Sequence, residues 1–144
     1  MADAGPERRF SAVLLAAGLS TRMGSFKPLL PFGDTSLYAF QLNQLADIGA
    51  DEIIVVVGSN ADKVLEQTPT QVVTVFNPGH LSGRASSVRV GVAATQAGRD
   101  TLITSADQPR PAWLLRRLIG RHFAGQHPIS VPTYQGRNGH PPIF

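Results

Sequence analysis

The chain is expected to fold as an α/β protein, a three-layer α/β/α sandwich around a mostly parallel sheet. Three features of the sequence predict this. Short apolar runs that carry no charge recur at 10–15, 53–57, 72–76 and 101–104. Segments with helical spacing separate them, and such alternation pairs strands in parallel through helical crossovers. Each run also empties into a loop of small or polar residues. Right-handed crossovers put the ligand crevice at the strands' carboxyl ends, so these loops should gather along one edge.

At 144 residues the chain has the length of one domain, which buries about 68–70% of its unfolded surface and needs no covalent staple. A single domain over 1–144 is expected, with 1–9 as a flexible polar tail. The first strand holds Phe10, Ala12, Val13, Leu14 and Leu15, and the side chains then shrink at Ala16-Ala17-Gly18. Residues 28–34 read as an extended segment ending in a turn. Thr35 or Ser36 can cap a helix over 36–49 that turns Leu37, Phe40, Leu45 and Ile48 to the core, with Gly49 as its stop. The strand at 53–57 is apolar on both faces, and a short helix over 61–67 can be capped by Asn60. A third strand, 72–76, ends at Asn77-Pro78-Gly79-His80. The helix expected over 82–97 is rich in small residues. Gly83 and Gly91 cost it roughly 1 kcal/mol each against Ala, so close approach to a sheet or a ligand must matter there. The strand at 101–104 delivers Ser105-Ala106-Asp107 to its carboxyl end. Pro111 opens a helix over 111–124 with Trp113, Leu114, Leu118, Ile119 and Phe123 apolar. Residues 129–134 form a strand that Pro132 confines to an edge, 135–139 a turn, and 142–144 the start of a further segment.

Composition excludes several functions. Without cysteine there is no disulfide framework, thiolate metal site or cysteine nucleophile. The four histidines include no i,i+4 pair, which argues against zinc. The net charge of +3 comes from dispersed basic residues with no dense basic and aromatic run, so no nucleic-acid partner is expected. No apolar stretch approaches the roughly 20 residues of a membrane span, and the N-terminus does not read as a signal peptide. A cytoplasmic protein with no membrane partner is expected.

The loop after the first strand carries the chemistry. Small residues let a ligand approach backbone N–H groups, and Arg22 and Lys27 follow within ten residues. A strand emptying into such a loop suits a phosphate-bearing ligand, although ordinary strand-to-helix loops share these features. It is not a P-loop: five residues separate Gly18 from Gly24, and Ser25-Phe26 stands where Lys and Ser/Thr belong. Nor is it a dinucleotide fingerprint, since Gly18-Leu19-Ser20 breaks G-x-G.

The run Leu15-Ala16-Ala17-Gly18-x-Ser20-x-Arg22-Met23-Gly24-x-x-Lys27-x-Leu29-Leu30-Pro31 closely resembles the signature of the MobA-like nucleotidyltransferases, and within them that of the molybdenum cofactor cytidylyltransferases. The resemblance continues at Asn77-Pro78, Gly83, Ser86-Ser87, Gly91, Asp107-Gln108-Pro109 and Gly139-His140-Pro141. It implies a Rossmann-like, mostly parallel sheet. It also implies that Leu15, Ala16, Ala17, Gly18, Asn77, Gly83 and Ser87 contact the nucleotide. Relatives that use GTP resemble Leu-Ala-Gly-Gly at the loop; Ala17 here favours CTP.

Arg22 and Lys27 are the expected catalytic residues, as contacts to the triphosphate. One opposite charge at about 4 Å is worth roughly 4 kcal/mol at an effective dielectric near 20, and two cations leave a triphosphate under-neutralised, so a divalent metal is expected. Asp107 read alone is either its carboxylate or the cap of the next helix. The resemblance implies that Asp107 binds Mg²⁺, and that Gly139 and His140 meet the second substrate. The implied reaction is attack by a terminal phosphate of molybdopterin on the α-phosphate of CTP, releasing pyrophosphate, by positioning and charge neutralisation. Two rivals remain: transfer to another phosphorylated acceptor such as a sugar phosphate, and a nucleotide-binding module without catalysis. Family members run some tens of residues past the Gly-His-Pro match and gain further sheet and a second metal ligand there, so a C-terminally truncated domain is expected.

Overall fold

The computed structural model describes residues 8–18 and 25–144. Strand β1 (Phe10–Ala16) precedes a 3-10 turn (Lys27–Leu29), the short strands β2 (Pro31–Phe32) and β3 (Thr35–Ser36), and helix α1 (Leu37–Asp47). Then come β4 (Glu52–Val57), α2 (Ala61–Glu66), β5 (Val73–Phe76), a second 3-10 turn (His80–Ser82) and α3 (Arg84–Ala93). The chain continues through β6 (Asp100–Ser105), α4 (Ala112–Ala124) and a hairpin of β7 (Thr133–Tyr134) and β8 (Arg137–Asn138).

Four strands form a parallel sheet in the order β5-β4-β1-β6. The chain therefore steps outward from β1 through β4 to β5, then crosses back to lay β6 on the other flank of β1. Leu15 aligns with Val56 on one side and Ser105 on the other. The carboxyl ends of β1 and β6 flank the point where the strand order reverses, the usual crevice of an open α/β sheet.

Alternation along the strands divides the core. Ala12, Leu14, Val55, Val57 and Leu102 face Tyr38, Leu42 and Leu45 of α1, Val64 of α2 and Leu115, Leu118 and Ile119 of α4. Val13, Leu15, Ile54, Val56 and Ile103 face the opposite way, toward Val88 and Val92 of α3. Helices thus cover both faces, as the sandwich requires. Gly91 lets α3 lie close to the sheet: a Cβ there would overlap Val13 and stand 2.9 Å from Cγ2 of Val56.

Local expectations hold in part. Ser36 caps α1, its Oγ accepting from the Ala39 N–H at 3.1 Å, whereas Asn60 makes no side-chain cap bond to α2. Helix α1 is rotated from the expected face: Tyr38, Gln41, Leu42 and Leu45 are buried, while Leu37, Phe40 and Ile48 are half-buried. In α4 Leu115 is buried and Trp113 is 64% exposed. The segment expected over 28–34 is extended only from Leu30 through β2 and ends in the expected turn at 33–34, while its start belongs to the 3-10 turn Lys27–Leu29. The helix expected over 82–97 spans only Arg84–Ala93: Gly83 at φ +109° stops it from starting earlier, and it ends four residues short, with Ala94 as its C-cap. The strand expected over 129–134 is broken: Ser130 pairs with Ile143, while Thr133 and Tyr134 belong to the hairpin. Pro142–Phe144 runs antiparallel beside β6, bonded through Ile103 N–H to Pro142 O at 3.0 Å and Phe144 N–H to Thr101 O at 3.1 Å. The sheet is therefore mostly, not wholly, parallel.

Candidate active site

A cavity of about 500 Å³ opens at the carboxyl ends of β1 and β6. Leu15, Ala16, Ala17 and Gly18 form its floor, Lys27 and Pro28 one side, and Ser105 and Asp107 another. The far wall comes from the turn after β5 and the start of α3, with His80, Leu81, Gly83, Arg84 and Ser87. Small side chains after β1 leave the floor open to a ligand. At the base, Gly58 permits a close approach: a Cβ there would lie 2.7 Å from the Ala17 carbonyl oxygen and 2.9 Å from Cβ of His80.

Lys27 and Asp107 line this cavity together although eighty positions separate them in the chain. Arg84, which the sequence reading passed over, is a second described cation in the wall; its Nη1 donates to Oγ of Ser105 at 2.6 Å. A cation in the first turn of a helix is opposed by the helix dipole, typically by 0.3–1 kcal/mol. Arg22 lies outside the described residues.

Asn77 does not reach the cavity wall. It is buried, 2% exposed, and its amide is fully engaged. Nδ2 donates to Oγ of Ser86 at 2.8 Å and of Ser87 at 3.0 Å, and Oδ1 accepts from the Gly79 N–H at 2.9 Å. It thereby fixes Ser87, which does line the cavity. Gly139 and His140 are also outside the lining; Nε of Arg110 donates to the His140 carbonyl at 3.1 Å, tying that segment to the loop bearing Asp107.

Asp107 does not cap α4, which starts at Ala112 after Pro111. Its carboxylate is exposed and makes no hydrogen bond or ion pair among the described residues. No group of three or more His, Asp or Glu that could hold a metal occurs among those residues. A single hard carboxylate beside a cationic cavity fits Mg²⁺ or Mn²⁺, which are commonly held by one or two carboxylates together with substrate phosphates and water. It does not fit a metal that needs a full protein cage.

A second polar cluster lies at the other end of the sheet. His122, 6% exposed, places Nδ1 2.9 Å from Oγ of Ser130 and Nε2 3.2 Å from Oδ2 of Asp100. The trio resembles a hydrolytic triad in composition only. Neither Ser130 nor His122 lines the cavity described above or the groove beside Asp100. The three residues join β6, α4 and the segment after it.

An open, mostly parallel sheet whose switch point gathers a small-residue loop, two cations and a carboxylate unpaired among the described residues has the make-up of an α/β domain that takes a phosphate-bearing ligand. Residues 12–144 match the MobA-like NTP transferase domain, and the chain belongs to that family. It is 31% identical over 146 residues to nicotine blue oxidoreductase of Paenarthrobacter nicotinovorans, covering 93% of this chain and 70% of that protein. It is 27% identical over 138 residues to the molybdenum cofactor cytidylyltransferase of Escherichia coli K12, covering 90% of this chain and 66% of that protein. Bifunctional protein GlmU of Leifsonia xyli subsp. xyli shares 31% over 126 residues, 83% of this chain but 26% of that longer protein. Among solved structures, Rv0371c of Mycobacterium tuberculosis H37Rv superposes with a TM-score of 0.83 at 30% identity, covering 96% of this chain and 72% of that one. The same mycobacterial protein has been solved in complex with manganese, with a TM-score of 0.75 to this chain at 30% identity and coverage of 94% and 70%. No helix among the described residues is long and apolar enough to cross a membrane.

Proposed function

We propose that the protein transfers CMP from CTP to a phosphorylated acceptor, molybdopterin first among the candidates, with release of pyrophosphate. The observation that carries this reading is the meeting of Lys27 and Asp107 at one cavity over the Ala16–Gly18 backbone. Lys27, with Arg22, holds the triphosphate; Asp107 holds a divalent ion, Mg²⁺ in the first instance, whose charge offsets the phosphates. Leu15, Ala16, Ala17 and Gly18 shape the nucleotide floor and Gly83 and Ser87 its wall, with Asn77 acting through Ser87. Gly139 and His140 are assigned to the acceptor side. Such chemistry needs the reacting phosphates held in line more than it needs a protein nucleophile.

Cytidine specificity rests on Ala17 and on the similarity to the cytidylyltransferase of Escherichia coli. Similarity to GlmU favours a second reading in which the acceptor is a sugar phosphate. Titration with CTP, GTP and UTP, with and without Mg²⁺, followed by a pyrophosphate assay with molybdopterin and with hexose 1-phosphates, separates the two. Binding of CTP with pyrophosphate release on molybdopterin is expected. Release only on a sugar phosphate selects the second reading. Nucleotide binding without release on any acceptor reduces the chain to a binding module, and no nucleotide binding at all refutes the assignment.

A further inference from the structure

Gln41 lies on the core face of α1, between Tyr38 and Leu42, and is 3% exposed. Burying an amide among apolar neighbours is costly unless each polar atom is bonded. Here all of its bonds go to one short stretch of backbone. Nε2 donates to the Ser105 carbonyl at 3.0 Å and to the Gln108 carbonyl at 2.6 Å, and Oε1 accepts from the Arg110 N–H at 3.2 Å. Asp107 stands between the two carbonyls so gripped. The same stretch is tied to β1 by the Ala106 N–H, which donates to Leu15 O at 2.9 Å, and is closed by the Gln108 N–H donating to Ser105 O at 3.1 Å. One turn on, Oε1 of Gln44 accepts from the Ala112 N–H at 2.8 Å, so the same helix also fixes the start of α4. The backbone around Asp107 is therefore bonded on both sides, while the carboxylate itself is left open to the cavity.

We propose that Gln41 is a positioning residue: through its three hydrogen bonds to residues 105–110 it holds the Asp107 carboxylate in place for the divalent ion. This rests on the reading of Asp107 as the metal ligand. An apolar residue of similar size would fill the core equally well but would strand the Gln108 carbonyl and the Arg110 N–H under α1, and would leave the Ser105 carbonyl with the Gln108 N–H alone of these two donors. Partners that orient a metal ligand typically matter 10–100-fold for metal affinity or activity.

The test is direct Mn²⁺ binding, read by electron paramagnetic resonance of the free ion with CTP present, on wild type, Gln41→Met, Gln41→Glu and Asp107→Asn. Methionine keeps the length and volume; glutamate keeps the acceptor for Arg110 but loses both donors. CTP affinity without metal, by calorimetry, and melting temperature accompany each measurement. Both Gln41 variants should stay folded, weaken Mn²⁺ roughly 10-fold or more, and bind metal-free CTP within about twofold of wild type. A folded Gln41 variant with Mn²⁺ affinity within about twofold of wild type overturns the proposal. So does an equal loss of metal-free CTP binding, or failure of both variants to fold, since Gln41 would then be a core residue only. Asp107→Asn tells the two claims apart: if it leaves Mn²⁺ binding unchanged, the reading of Asp107 falls and takes this one with it. If it weakens binding and the Gln41 variants do not, the positioning role alone falls.

Discussion

Glycine to alanine should have opposite signs in two helices of this protein. In α3, Gly91→Ala gains about 1 kcal/mol of helix propensity. It also places a methyl group into Val13 and within 2.9 Å of Cγ2 of Val56. Both valines are 0% exposed and belong to strands paired on both edges, and a β-branched side chain has few rotamers to which it can turn. The helix must back away, and overpacking of this kind costs about 1–3 kcal/mol. The net effect is a loss of roughly 1 kcal/mol, or about 2–4 °C in melting temperature at this chain length. In α4, a Cβ on Gly120 meets nothing within 4 Å. There Gly120→Ala keeps only the propensity term and should stabilise by up to about 1 kcal/mol. Urea denaturation of both variants reads the difference, with the slope checked to be unchanged. Because α3 carries Arg84 and Ser87 into the cavity wall, with Gly83 at its N-cap, Gly91→Ala should also weaken CTP binding and Gly120→Ala should not. A Gly91→Ala protein as stable as Gly120→Ala would refute the argument that α3 is held at the limit of approach.

Lys27→Ala should abolish pyrophosphate release, by roughly 10³-fold for a lost contact of about 4 kcal/mol, with an unchanged melting temperature; near-normal turnover refutes its role. Tyr38 is buried, which raises its phenol above the ordinary value of 10.0, partly offset by the hydrogen bond to Thr68. Its folded form thus holds the proton longer than the unfolded chain does, so stability is intact below pH 10 and falls above it. Tyr38→Phe should flatten that decline in alkaline denaturation, and an unchanged slope would contradict it. His122→Phe removes the bonds to Ser130 and Asp100 and should cost about 1–3 kcal/mol in chemical denaturation. It should leave CTP affinity alone, because Asp100 opens β6 at the end of the sheet away from the cavity.

The strands were legible because a parallel strand covered on both faces reads as an unbroken apolar run, as 53–57 does. The meeting of Lys27 and Asp107 followed from their positions after strands. It needed one fact that alternation does not supply, namely that β6 lies beside β1 rather than beyond β5. Asn77 shows the opposite limit. Asparagine before proline suits both a ligand contact and a turn, and only the positions of Ser86 and Ser87 decide where its amide goes.

Gln41 was hidden for a physical reason. Helical periodicity is read from apolar residues, so it turned Leu37, Phe40, Leu45 and Ile48 inward and gave glutamine no place. That logic holds where a helix meets only side chains. Helix α1 also meets the backbone of residues 105–112, which brings carbonyls and N–H groups that leucine could not satisfy. The helix therefore turns so as to present Gln41 and Gln44, three residues apart, to that backbone, and Tyr38 and Leu42 join the expected Leu45 in its buried apolar stripe. An amide at a position that the periodic pattern misassigns thus marks a helix packed against a loop, and in this fold the loop is the one that carries Asp107.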